Sequence, residues 1–241
     1  MSSRLDTQLP ERAVQELATA LSALVTDHDV LGTITNLLAG CERCLLATGS
    51  GIVISRPDNQ ELEFLAATSH RAEGIELYQA QTESGPAALT LATGEPVAAD
   101  STLLAGRWPE FAERFEAQGY HSLYAHPMRW RGQTFGALNL FFPAELVPAG
   151  TATVAQAFAD IATVVILHSG TNSITHLIGQ LRIALTDRIV IEQAKGVLAY
   201  TEDLTLDAAF DQLLHRARTS ERSLSEVAAE VVDAVAHPSK S

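Results

Sequence analysis

The chain has 241 residues, 46% of them hydrophobic, enough for one large core or for a medium core with a small one beside it. Its formal charge of −13 argues against a general polyanion binder. No stretch reaches about eighteen uninterrupted apolar residues, so no membrane-spanning helix and no membrane partner are expected. Residues 1–17 lack an apolar signal core and carry acids, so 1–11 read as a disordered lead rather than an export signal, and a cytoplasmic location is expected.

Taken in order, residues 11–26 place Val14, Leu17, Ala18, Leu21, Leu24 and Val25 at helical spacing, and Asp29 can cap a second helix through Leu31, Ile34, Leu37 and Leu38. Two β-rich runs, 52–55 and 62–68, flank the turn residues Pro57-Asp58-Asn59 and form a hairpin. Residues 73–95 read as a linker and then a helix, with Gly94 at its C-cap and Pro96 blocking continuation; His70 falls in a loop. A short strand covers 97–100. A helix follows from Trp108 to Gly119, with Pro109 in its first turn and Phe111 and Phe115 on one face. Runs 122–130 and 134–142 make a second hairpin turning at Arg131-Gly132-Gln133, and a helix spans about 151–168.

This order predicts an α+β fold, a mainly antiparallel sheet flanked by helices. The stretches ESGPAALTLATGEPVAAD (83–100), QGYHSLYAHPM (118–128) and GQTFGALNLFF (132–142) resemble a GAF domain, a small-molecule-sensing and dimerising module, over 12–168. The resemblance implies a pocket between sheet and helices for an unknown small molecule, with Tyr78, Trp108, Tyr120 and Tyr124 as candidate lining; aromatics in such a domain also serve as plain core. No residue set identifies a haem, a cyclic nucleotide or a bilin, so no cofactor is expected.

Three amphipathic segments end the chain. The first, through 181–198, spreads Leu181, Ala184, Leu185, Ile189, Ile191 and Val197 over more than one face and should stop at or just after 196–198. The others cover 205–220 and 223–236. Arg188, Gln193-Ala194-Lys195-Gly196, Ala209-Phe210, Leu213, Ala217-Arg218, Leu224 and Val227-Ala228 resemble the signature of an ANTAR domain, the RNA-binding antitermination module of bacterial regulators. The family often carries Met soon after the glycine, where this chain has Val197-Leu198-Ala199-Tyr200. GAF followed by ANTAR resembles a pairing of actinobacterial regulators. The resemblance implies a three-helix bundle over 181–237 after a linker helix at 169–180, binding paired hairpin loops in nascent RNA and preventing termination.

The RNA contacts that the ANTAR resemblance implies are Arg188, Gln193, Lys195, Arg218 and Arg222, with Arg216 a lesser contributor. Residues 175–238 hold six basic side chains against ten acidic ones, so RNA binding needs the bases gathered on one side. The acidic balance favours the alternative, a ligand-binding or dimerisation module whose ANTAR helices do not bind RNA.

Positions 154, 158, 161, 165 and 168, and again 174, 178, 181, 185 and 188, alternate like a coiled-coil seam, with a break in register across 170–173; they fit a parallel homodimer through linker helices and equally a plain domain linker, and a homodimer is the expectation. Cys41 and Cys44 supply two metal ligands where a structural zinc wants four, so they read as core residues, and no metal is expected. No phosphate loop or nucleophile elbow is present, and no enzyme is expected.

Overall fold

The computed structural model describes residues 13–19, 22, 30–56, 60–144, 151–168, 189–220 and 222–236. After a helical segment α1 (13–19) come α2 (Val30–Leu45), β1 (Gly49–Ser55), β2 (Leu62–Ala67), α3 (His70–Thr82), α4 (Pro86–Thr93), β3 (Val97–Asp100), α5 (Ser101–Arg107), α6 (Pro109–Ala117), β4 (Ser122–Trp130), β5 (Gln133–Phe142) and α7 (Thr151–His168). The C-terminal bundle is α8 (189–201), α9 (Leu206–Ser220) and α10 (Leu224–Ala236).

The five strands form one antiparallel sheet in the order β2-β1-β5-β4-β3. Strand alternation sends Ile52, Ile54, Leu138, Leu140 and Phe142 to the face covered by α2 and α7. Val53, Leu123, Ala125, Ala137 and Phe141 go to the face covered by α3, α4 and α6. Cys41 and Cys44 are buried in α2, and burial pushes the Cys41 thiol well up.

Three sequence expectations change. The expected linker contains α3, and His70 is its first residue rather than part of a loop. Ser69 caps α3, its Oγ accepting the Ala72 N–H at 3.2 Å. Apolar periodicity missed this helix because half of its buried positions are polar, Glu73, Glu76 and Gln79, beside only Ala72, Ile75 and Ala80. A second unexpected helix, α5, starts where Asp100 Oδ1 accepts the Leu103 N–H at 2.8 Å. The third change is in α8, which runs through Gly196 to 201; the left-handed residue that ends it is Asp203, at φ 53°. The Asp29 cap, the linker at 169–180 and Arg188 lie outside the described residues.

The seam on α7 faces inward. Phe158 and Val165 are buried in the core that α7 shares with α2 and β4, and Val154 and Ile161 pack against it. The 174–188 series lies outside the described residues. No described helix is long and apolar enough to cross a membrane.

Candidate functional site

The bundle core is Ile191, Ala194 and Leu198 of α8, Ala209, Leu213 and Ala217 of α9, and Leu224, Val227, Ala228 and Val231 of α10. It is continuous with the α2 side of the sheet, so the helical bundle sits directly on the sensor. Burial of these positions at three- and four-residue spacing leaves the polar positions between them on the outer faces.

At this junction lies Lys195, whose side chain is only 4% exposed. Its Nζ donates to Glu73 Oε2 of α3 at 2.9 Å, and to Glu192 Oε1 and Oε2, one turn back on α8, at 3.0 and 2.9 Å. The ammonium also stands 5.4 Å from the centroid of the Phe210 ring, an additional cation–π contact. Glu73 Oε2 is 3.3 Å from His70 Nδ1. The His70 backbone N–H, at the free N-terminal end of α3, donates to Asp207 Oδ1 of α9 at 2.7 Å. A carboxylate from the bundle thus meets the positive end of a sensor helix. Between the units is a cavity of about 30 Å³, lined by Thr35, Ser69, Glu73, Glu192, Lys195 and Phe210 among others.

The other expected RNA residues divide into two groups. Arg218 Nη2 donates to Asn36 Oδ1 of α2 at 2.9 Å, so it too is held by the sensor. Gln193 is exposed on the outer side of α8, in a row with Ile189, Gly196 and Tyr200, the last 90% exposed. Arg222 pairs with Glu230, and Arg216 with Glu202 at 2.7 Å. Arg216, Arg222 and His215 line an open groove of about 500 Å³ between α9 and α10. Lys195 and Arg218 therefore face the sensor, while Gln193, Arg216 and Arg222 face outward. The residues that sequence reasoning missed are Glu73, Asp207 and Asn36. They lie 122, 137 and 182 positions from their partners, a pairing that no local pattern encodes.

In the sensor, the four candidate ligand aromatics do not share one cavity. Tyr120 is buried among Phe115 and Phe141 in the α3-side core, with Tyr78 and Trp108 at its edge. Tyr78 Oη donates to Glu110 Oε2 at 3.2 Å. Tyr124 lies on the opposite face of the sheet, against His126 and Phe142.

Among the buried polar groups of the sensor, Glu76 of α3 is a wholly buried carboxyl. Asn139 Nδ2 of β5 donates to both its oxygens at 2.9 Å, and Gln79 Nε2 donates to Oε2 at 2.9 Å. Gln79 Oε1 in turn accepts the Ala87 N–H at 2.9 Å, tying α3 to α4. Burial pushes the Glu76 carboxyl up to about 8, against the opposing hydrogen bonds from Asn139 and Gln79. Gly51 makes room for it: a Cβ there would lie 2.5 Å from Glu76 Oε1. Burial also lowers His126. No group of three or more His, Cys, Asp or Glu side chains among the described residues is arranged to hold a metal ion.

The family model of the GAF domain matches residues 26–166, and that of the ANTAR domain matches residues 179–232. Among solved structures, the GAF domain of an Acinetobacter phosphoenolpyruvate-protein phosphotransferase is 14% identical, with 66% of this chain and 97% of that one covered at a TM-score of 0.51. The corresponding domain from Coxiella burnetii is 18% identical, covering 66% and 95% at 0.50. The N-acylhomoserine lactone dependent LuxR family factor CepR2 from Burkholderia cenocepacia is 14% identical, covering 70% and 98% at 0.52. At these identities the likeness is one of fold. No curated protein matches the chain.

Proposed function

For a chain that belongs to the GAF domain family and ends in an ANTAR domain, we propose the role of a signal-responsive regulator that binds paired hairpins in nascent RNA and so prevents transcription termination. GAF domains are signal-sensing units and ANTAR domains are RNA-binding antitermination modules; both are regulatory rather than catalytic. The observation that carries the reading is the ANTAR match over 179–232, which takes in α8, α9 and most of α10.

In this reading the outward row of α8 and the α9–α10 groove receive the RNA. Single-stranded loops are read through unstacked bases, by stacking on aromatics and by hydrogen bonds to base edges. Tyr200 offers the exposed ring, Gln193 the amide, and Arg216 and Arg222 the phosphate contacts. Gly196, in the middle of the row, meets nothing within 4 Å at its Cβ position. A helix-interior glycine costs about 0.5–1 kcal/mol relative to Ala, and no contact among the described residues repays it. Close approach of an outside backbone would.

One observation favours a second reading, an interaction bundle that does not bind RNA. Each described Lys and Arg of the bundle already has a partner: Lys195 with Glu73 and Glu192, Arg216 with Glu202, Arg218 with Asn36, and Arg222 with Glu230. Filter-binding titrations of the full chain with a two-hairpin RNA, at two salt concentrations, separate the readings. RNA binding that weakens at least tenfold in Arg222→Ala, with a flatter salt dependence, supports the first. No binding under any condition supports the second.

A homodimer is part of this proposal, and the α7 series is not free to form it, since Phe158 and Val165 are spent on the sensor core. Light scattering at low micromolar concentration tests it, and a monomer with and without RNA refutes it.

A further inference from the structure

We infer that the sensor holds the bundle in a closed form through Glu73, which takes the ammonium of Lys195 and keeps it from a phosphate. This rests on the RNA reading only for which partner competes with Glu73; the contact itself stands on geometry. Lys195 and Arg218 are two of the residues through which the ANTAR resemblance implies RNA contact. Both end on the sensor, on Glu73 of α3 and Asn36 of α2. A third contact, from Asp207 to the His70 N–H, fixes the start of α9 against the start of α3.

The arrangement is a competition for one cation. Lys195 donates three hydrogen bonds to carboxylates, to Glu73 and to both oxygens of Glu192, and a point charge with three donors has none left for a phosphate while they persist. Glu192 rides on the same helix and moves with Lys195, so it does not choose between docked and free states. Glu73 belongs to the other unit, and its loss is what undocking means. Freed from Glu73, Lys195 keeps Glu192 as a local partner and reaches solvent.

The neighbours of Glu73 connect this contact to the interior of the sensor. Glu76 lies three residues further along α3, on the same side of the helix, and is bound by Asn139 of the central strand β5. Any change of occupancy or charge around Glu76 that moves α3 moves Glu73 with it, because the two share one turn of a single rigid helix.

The test uses the full chain and two measurements. The first is backbone hydrogen exchange without RNA, in the wild type, in Glu73→Gln, and in Glu113→Gln, which removes the same charge from the exposed surface of α6. Glu73→Gln should raise exchange at least tenfold in α8 and at the start of α3, with β1 and β5 still protected, and Glu113→Gln should not. The second measurement is filter binding to a synthetic RNA of two adjacent hairpins with unpaired loops. Glu73→Gln should bind at least tenfold more tightly than the wild type, a difference of about 1.4 kcal/mol.

Unchanged exchange in Glu73→Gln overturns the closed contact, and so does a wild type that binds the RNA as tightly as the variant. If exchange rises but no form binds the RNA, the contact stands and the RNA reading alone falls. Should Glu73→Gln lose protection in β1 and β5 as well, the reversed pair Glu73→Lys with Lys195→Glu decides. Protection of α8 at the wild-type level supports the contact, and its loss overturns it.

Discussion

Replacing Glu76 with Gln should abolish a pH dependence that the wild type carries in its sensor core. Glu76 is fully buried, with no cation among its hydrogen-bond partners, and its carboxyl is pushed up to about 8 from an ordinary value of 4.5. The folded protein therefore holds this proton more tightly than the unfolded chain does. Its contribution is fully present below about 4.5 and is lost as the pH rises through about 8. At about 1.4 kcal/mol per pH unit, the whole difference corresponds to roughly 5 kcal/mol, and the portion between pH 5 and pH 7 to roughly 2–3 kcal/mol.

Gln is the neutral isostere of the protonated acid, so Glu76→Gln should keep the cluster with Asn139 and Gln79 while removing the titration. Other carboxylates tilt the wild-type curve as well, so the quantity to read is the difference between the two proteins. Thermal melting followed at several values from pH 5 to pH 8.5 measures it. The variant should gain on the wild type steadily across that range, reaching a melting-temperature advantage of roughly 5 °C or more near pH 8 at about 2–4 °C per kcal/mol for a chain of this size. Parallel curves would refute the reasoning. They would mean that Glu76 carries its charge in the fold, stabilised by the amides of Asn139 and Gln79 against the loss of solvent.

Three further outcomes follow from the packing. A Cβ at Gly49 would lie 2.4 Å from Tyr120 Oη, so Gly49→Ala should destabilise by about 1–3 kcal/mol and Tyr120→Phe should recover part of the loss; calorimetry of the double mutant must show that non-additivity. Gly196→Ala places its methyl in open space on a helix interior and should raise stability by about 0.5–1 kcal/mol, while weakening hairpin RNA binding if an outside backbone comes close; an unchanged melting temperature would contradict the helix. Cys41, buried with its thiol pushed well up, should resist alkylation by iodoacetamide at pH 8 until the protein unfolds, and rapid native labelling would contradict its burial.

The parts of the fold legible in the sequence are those whose buried face is apolar. The two hairpins, α6, α7 and the last two bundle helices were found within a few residues, because their inward positions repeat as Val, Ile, Leu, Ala or Phe. The α3 helix is hidden because Glu73, Glu76 and Gln79 point inward among the small apolar set Ala72, Ile75 and Ala80, and so mixed a row reads as surface or linker. Gly196 misled in another way. Glycine ends helices when its left-handed freedom is used, but here it sits inside α8 and Asp203 takes the left-handed turn. The candidate site was legible to the level of residue type. Lys195 and Arg218 were marked by the ANTAR signature, while their engagement with Glu73 and Asn36 depends on a tertiary contact between distant segments.

Why the docking contact is an ion pair follows from what must happen when it opens. A buried Lys–Glu pair loses hydration on both charges, and an apolar pair of similar volume often holds two surfaces together at least as well. Strength of docking is thus a weak reason for Glu73 and Lys195. Opening, however, treats the two designs differently. An apolar contact between α3 and α8 would leave a greasy patch on each unit once separated, prone to bind again anywhere. Glu73 and Lys195 regain water when parted, and the freed ammonium gains a use, because a phosphate is a better partner for it than solvent. The apolar seam beneath, through Leu31, Leu65, Ile191 and Phe210, supplies adhesion of the usual kind. Under the proposed RNA reading, the ion pair above it makes the inferred closed and open states differ in the charge that the bundle presents, the property to which an RNA responds.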